Sequence, residues 1–370
     1  MSVTARTSVV EPPVPPVPPP ADLRDRFLGM RTTPITRRRL DVFRKNGRAF
    51  WSLWIFVAIF FLSLFAEFLC NDKPLLVRYD GAFYVPVFVS YPETTFGGFF
   101  PAEAEYRDPA VIELIQEKGW MLWPPVRYDY RTINYDLRRT APAPPSRENL
   151  LGTDDQARDV VARVVYGIRI SILFGFSVVI FSSIIGIVAG ATQGYWGGRF
   201  DLYFQRFMEV WGSVPQLYVI IIVAAVITPT FWVLLGIFLL WSWMGLVGLV
   251  RAEFIRARNF DYVRAARALG LSDWGVMFKH VLPNAMVAVM TFVPFTLAGS
   301  VTLLSSLDFI GYGLPVGSPS LGELTLQARN NLHAPWLGFT AFFTLGILLI
   351  LLVFIGEGVR DAFDPRKNQA

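Results

Sequence analysis

The residues best suited to chemistry in this chain of 370 residues do not assemble a catalytic centre. It has one cysteine, Cys70, which excludes an internal disulfide, a CxxC redox pair and a cysteine zinc cage. His280 and His333 are too few and too far apart for a metal site. No Gly-x-x-x-x-Gly-Lys occurs, and none of the five lysines follows a glycine, so the chain has no phosphate-binding loop and does not hydrolyse ATP by that route. The stretch that stands out is Arg264 to Asn284, RAARALGLSDWGVMFKHVLPN, whose chemistry is recognition. Ala265, Ala266, Arg267, Ala268 and Leu269 are strong helix formers, and Gly270 follows where a left-handed cap belongs. Ser272 can cap a second helix, Leu271 and Val276 have the spacing of a hydrophobic staple, and Pro283 bars helical geometry at Leu282. The expected form is helix, turn, helix, stop. Small side chains permit close backbone approach, so this pair reads as a knob for another protein's groove.

The elements that must hold this stretch are membrane spans. The composition is 53% hydrophobic and 17% charged, with a mean hydropathy of +0.43, whereas soluble domains are about a quarter charged. The net charge of +5 does not point to nucleic acid, because the basic residues flank apolar runs and set topology. Residues 1–49 read as a cytoplasmic tail, with a polyproline tract at Glu11 to Pro20 followed by Arg37, Arg38, Arg39, Arg44, Lys45 and Arg48. The first span, 50–70, has the roughly 20 apolar residues needed to cross the bilayer and is an uncleaved anchor. Residues 71–165 read as an extracytoplasmic insert, a domain or a lid, with short strands or turns in 79–98 and a short helix in 108–120. Thr153 and Gln156 have capping-box spacing ahead of the second span, 171–191, whose Gly175, Ser182, Ser183, Gly186 and Gly190 suit close helix packing.

Within the core, 166–357, a third span at 217–228 turns at Pro229 into a fourth at 231–250. Asp201, Arg206 and Glu209 are expected to form one ionic group at the end of the third span. The fifth and sixth spans, 285–304 and 336–355, enclose a loop, 305–335, with Arg329 as its one basic residue. The N-terminal tail, the loop 251–284 and the tail 358–370 are basic by contrast, which puts those segments and both termini inside and 305–335 outside.

Ala265, Ala266, Gly270, Leu282 and Pro283 resemble the EAA signature of ABC importer permeases, with Arg264 in place of the signature's Glu. The segment from Leu151 is similar to the LGTD-x-x-GRD run of the oligopeptide and dipeptide branch: Arg158, Asp159 and Arg169 are kept and Ala157 replaces a Gly. GYWGGRFD at Gly194 to Asp201 and, further on, Gly311, Gly313, Pro319, Gly322, Asn331, Pro335 and Trp336 resemble segments of the permease family as a whole, with Leu321 replacing Trp. Within it, the nearest resemblance is to microcin C-type peptide importer permeases.

The resemblance implies an all-α integral membrane protein of six transmembrane helices, a MetI-like ABC permease core with an extracytoplasmic insert after the first helix. It implies half of a peptide pathway in a bacterial inner membrane, in a chain that is not an enzyme and carries no cofactor. ATP would be used by a partner ATPase docked on Arg264, Ala265, Ala266, Ala268, Gly270, Leu282 and Pro283. A second homologous permease subunit, a periplasmic peptide-binding protein and membrane lipid complete the implied partners, with no nucleic acid. Arg264 opposes its own helix dipole, so an acidic partner is expected, either Asp261 or a carboxylate on the ATPase. The alternatives are a membrane sensor or scaffold without transport activity, and a membrane-embedded protease or lipid-modifying enzyme. The enzyme would need nucleophile, His or carboxylate groups clustered in the spans, and the sequence presents none.

Overall fold

The computed structural model describes residues 26–27, 30–31, 34–137 and 139–364. The polyproline tract and the basic Arg366 and Lys367 lie outside the described residues. A short antiparallel pair, β1 (Arg26–Phe27) and β2 (Met30–Arg31), precedes helices α1 (Pro34–Lys45), α2 (Gly47–Leu64) and α3 (Ala66–Leu69). The first apolar run is therefore broken at Phe65 rather than continuous to residue 70.

The insert builds a three-stranded antiparallel sheet in the order β4 (Ala82–Tyr84), β3 (Leu76–Tyr79), β5 (Gly119–Leu122), with α4 (Pro109–Lys118) beside it. Its own core is Val77, Tyr79, Phe96, Tyr106, Val111 and Ile115. Alternation on β3 sends Val77 and Tyr79 inward and Arg78 outward, as a half-buried strand requires.

Helix α5 (Val160–Trp196) carries 37 residues, roughly 55 Å at the α-helical rise, so it overshoots the hydrocarbon core at one or both ends. Its start corrects the capping-box expectation: Asp159 is the cap, accepting from the Ala162 N–H at 2.9 Å, while Thr153 Oγ1 accepts from the Ala143 N–H at 2.8 Å. The small residues seat α5 on α9 (Met244–Ala257). A Cβ at Gly186, Gly190 or Gly194 would lie 2.8, 2.7 or 2.6 Å from the carbonyl oxygens of Trp243, Val247 and Arg251, so both helices present residues four apart along one seam.

The third apolar run is the largest departure from expectation. α7 (Gln216–Val226) has 11 residues, about 16 Å of helix, which is short of a bilayer. It meets α6 (Gly198–Gly212) at a 60° bend, where Pro215 keeps Val214 out of helical geometry. α8 (Phe231–Ser242) and α9 together make the next span. Among the described residues, five segments are long and apolar enough to cross a membrane, and the bent α6–α7 pair would be a sixth.

After α10 (Asp261–Ala268) and α11 (Asp273–Val276), a π turn over Met277–Val281 runs straight into α12 (Leu282–Phe309). The expected stop at Pro283 does not occur. The Leu282 N–H reaches back to the Met277 carbonyl, five residues earlier, and this wider turn puts Pro283 at the start of α12, where its missing N–H costs little. α13 (Leu321–Asn330), in a stretch expected to be only loop, precedes the last span, α14 (Pro335–Phe363).

Candidate functional site

The α10–α11 hairpin is seated on the C-terminal end of α5. Val263 and Ala266 of α10 are buried with Val276, Met277 and Val281 against Ala191 and Tyr195 of α5 and Val250 and Phe254 of α9. Polar contacts lock the seat. Arg267 donates from Nε to the Tyr195 hydroxyl at 3.0 Å with its guanidinium 4.6 Å over that ring, and the same hydroxyl donates to Asp273 Oδ1 at 2.7 Å. Trp274 packs edge-on against Trp196 and stacks on Phe278. Arg258 donates to the Gly194 carbonyl at 3.2 Å, and Arg251 grips Asp201 through two bonds of 2.6 Å. The expected single ionic group is thus two separate pairs, because Arg206 turns to Glu209 on the exposed face of α6.

The turn has the expected form. Gly270 has φ +83°, the Leu271 N–H bonds to the Ala266 carbonyl and the Gly270 N–H to the Arg267 carbonyl, which together make a Schellman cap. Ser272 Oγ accepts from the Gly275 N–H at 3.2 Å and starts α11.

Of the residues singled out in the sequence, Arg264, Ala265, Ala268 and Gly270 are exposed together, with Leu269 at 81% exposure beside them. Ala266 faces the core instead. Leu282 is half-buried against the same core, and Pro283 lines a groove with Leu40, Phe43 and Met286 between α1 and α12, away from the exposed face. Among the described residues Arg264 forms no ion pair, so Asp261 is not its partner within this chain. Tyr195, Arg267 and Asp273, which hold the hairpin, were not foreseen. The available signal was a tyrosine inside GYWGG and an arginine interrupting an alanine helix.

A second polar site lies at the other end of α5. Arg163, fully buried on the first turns of the helix, bonds Glu323 Oε2 of α13 at 2.7 Å and the Ser318 and Gly317 carbonyls at 2.8 and 3.2 Å. Arg158 pairs with Asp154 at 2.6 Å and lies 3.4 Å from Glu323, while Gln327 Nε2 donates to Asp154 at 3.4 Å. Asp308, at the end of α12, accepts from the Leu314 N–H at 2.6 Å and from the Ser320 hydroxyl. Ser320 also caps α13 by accepting from the Gly322 and Glu323 N–H groups. Burial pushes the Asp159 carboxyl above the usual carboxylate range, although Asn149 and the Ala162 N–H donate to it; burial and the neighbouring Asp154 raise Asp155. Arg158 and Asp159 stand out in the sequence, whereas Arg163 and Glu323 do not. Ser320 and Glu323 have capping-box spacing, which was the legible clue.

The bundle of long apolar helices thus carries a seated hairpin at one end of its longest helix and a buried ionic lock at the other. Residues 182–369 match the family described as "binding-protein-dependent transport system inner membrane component", and the chain belongs to that family. More particularly, it is 55% identical over 360 residues to the peptidoglycan transport system permease protein YejE of Agrobacterium fabrum, covering 91% of this chain and 94% of that one. It is 56% identical over 337 residues to the inner membrane ABC transporter permease protein YejE of Escherichia coli, covering 91% and 99%. The oligopeptide transport system permease protein OppC of Lactococcus lactis is 36% identical over 230 residues, covering 61% of this chain and 78% of the relative. The chain is an ABC importer permease, and the sensor or scaffold reading has no support among these relatives.

Proposed function

We propose that the chain forms half of the pathway for peptides or peptide-bearing cell-wall fragments, and that the α10–α11 hairpin carries the force of a partner ATPase into it. The exposed side of the hairpin carries the proposal. Arg264, Ala265, Ala268, Leu269 and Gly270 form a low-relief surface with one protruding leucine, while Arg267 and Tyr195 anchor the opposite side to α5. A partner that takes hold of Leu269 would move α5 as a rigid lever. That helix also bears the ionic lock to α13, so a displacement at one end is felt at the other. Leu282 and Pro283 join the signature by starting α12 at the π turn, which makes α12 the second lever.

In this reading the hairpin, both termini and the loop 251–284 are cytoplasmic, whereas the insert and α13 face the periplasm, where a peptide-binding protein delivers substrate. A second permease subunit would cover the exposed apolar side of α6 and α7, which includes Phe207, Val210, Tyr218, Ile222 and Val226. Hydrolysis of ATP belongs to the partner. The peptide class rests on the named transport roles of the relatives and on Arg158 and Asp159, which match the run of the oligopeptide and dipeptide branch.

The test is co-purification of the ATPase subunit with Leu269→Asp. Association should weaken about tenfold or more, as losing ~1.5–3 kcal/mol of apolar burial demands, with unchanged permease abundance. Wild-type recovery of the ATPase with Leu269→Asp would show that the hairpin is only a linker.

A further inference from the structure

Span one and the insert share a row of exposed aromatic rings. Phe61, Phe65 and Phe68 recur at helical spacing on the side of the first span opposite the buried Phe56 and Ser63. Their ring centroids are 4.9 Å apart for Phe61 and Phe65 and 6.1 Å for Phe65 and Phe68. The row does not end with the helix. Phe88 of the insert, 71% exposed, lies edge-on to Phe68 with centroids 5.7 Å apart, and Val89 beside it is exposed as well.

Phe61 sits near the end of the 18-residue apolar helix α2 and faces lipid by the membership of this chain in an inner membrane family. Phe68 is then at the edge of the hydrocarbon, and Phe88 is one ring further out, at the depth where aromatic side chains concentrate at membrane interfaces. The segment Val85 to Val89 turns back on itself, with the Phe88 and Val89 N–H groups both bonded to the Val85 carbonyl. This pairs the two N–H groups beside the exposed rings and leaves the two side chains projecting. An apolar turn whose N–H groups next to its exposed rings are already paired can rest at a lipid interface, where water is still at hand for its remaining carbonyls, at a reduced cost in unpaired amides.

We propose that the turn 85–89 rests on the bilayer, with Phe88 inserted at the interface, so that the insert is held against the membrane surface. The inference rests on the proposed orientation only for which leaflet is touched, the outer one. Its consequence is a fixed height and tilt for the insert's sheet relative to the permease core. α4 and the sheet would then present a constant surface to whatever delivers substrate.

The experiment is site-directed spin labelling of the full chain in phospholipid nanodiscs. Cys70 can stay in place, because its thiol is buried out of reach of a thiol-directed label. Phe88→Cys, Phe61→Cys as the lipid-facing reference and Glu113→Cys on α4 as the aqueous reference are labelled with a nitroxide. Collision rates with oxygen and with a water-soluble nickel chelate are then compared. The ratio of oxygen to nickel collisions at 88 should be several-fold above that at 113 and approach that at 61. A ratio at 88 equal to that at 113 would overturn the proposal. Low collision rates with both reagents would overturn it too, since a protein neighbour rather than lipid would then cover Phe88. Failure of the orientation has a separate signature: an impermeant maleimide that reaches Glu113→Cys only from the cytoplasmic side would reverse the leaflet and leave the depth result standing.

Discussion

At the N-terminal end of α5, Asp154, Arg158, Arg163 and Glu323 neutralise one another away from water, and each charge has an opposite partner in this chain. At the C-terminal end, α10 buries Val263 and Ala266 and turns Arg264, Ala265, Ala268 and Leu269 to solvent. The same rigid helix thus joins a site completed by the fold to a site that the fold leaves open. A closed ionic lock costs desolvation and is sensitive to losing any member, whereas an open small-residue face costs little to maintain and is sensitive only when its partner is measured. The difference between the ends predicts where mutations will unfold the protein and where they will silence it.

The largest effect should come from breaking the lock. Arg163→Ala leaves the two carboxylates of Asp154 and Glu323 to share the single guanidinium of Arg158, and removal of one partner from such a network costs about 3–5 kcal/mol. A fall in the thermal midpoint of the detergent-solubilised permease, with low yield, is the expected result. A midpoint within a degree or two of wild type would put the charges in water and dissolve the contrast between the two ends.

Next in size is the seam that carries the hairpin. Gly194→Ala places a Cβ against the Arg251 carbonyl and Phe254, and overpacking of this kind costs roughly 1–3 kcal/mol. Because Gly194 also accepts from Arg258 and adjoins Tyr195, the substitution should lower both stability and ATPase stimulation. Changed stability with normal stimulation would show that the hairpin's seat does not transmit.

Gly270→Ala sharpens the comparison from the open side. A Cβ there meets nothing within 4 Å, so the whole cost is the left-handed backbone, about 1–2 kcal/mol. The thermal midpoint should barely move while uptake falls, since only the relative placement of α10 and α11 is disturbed. Normal uptake would mean that this placement is not used.

The smallest effect concerns acidity near the lock. Burial raises the Asp129 carboxyl, whose Oδ1 has no hydrogen-bond partner among the described residues, with the Asp72 charge adding to the rise. A raised folded value means that this group's contribution to stability is fully present below the ordinary carboxylate range and is lost as pH rises through the folded value. Asp129→Asn should therefore gain on wild type at neutral pH, and the gain should shrink on acidification. A gain independent of pH would assign the effect to packing alone.

Legibility in the sequence divides along the same line. The hairpin was readable because its signals are local: alanines, a glycine at the cap, a serine that starts the next turn. Pro283 misled for a physical reason, since the local rule ends a helix there while a π turn, invisible in residue types, carries the chain through. The lock was only half readable. Arg158 and Asp154 are four residues apart, but Arg163 meets Glu323 across 160 residues, a pairing that no periodicity encodes. The third apolar run looked like a span by composition, and only Pro215 hinted that it would bend.

The docking of an ATPase on the open face can be measured most directly by photo-crosslinking. A benzophenone amino acid is placed at Ala265 or Ala268 on the open face, and at Glu113 on the insert as a control, in cells that make the whole transporter. Adducts with the ATPase subunit from positions 265 and 268, abolished by Leu269→Asp and absent from position 113, are the predicted result. The same adducts at wild-type yield with Leu269→Asp, or no adduct from either position on the open face, would contradict the account.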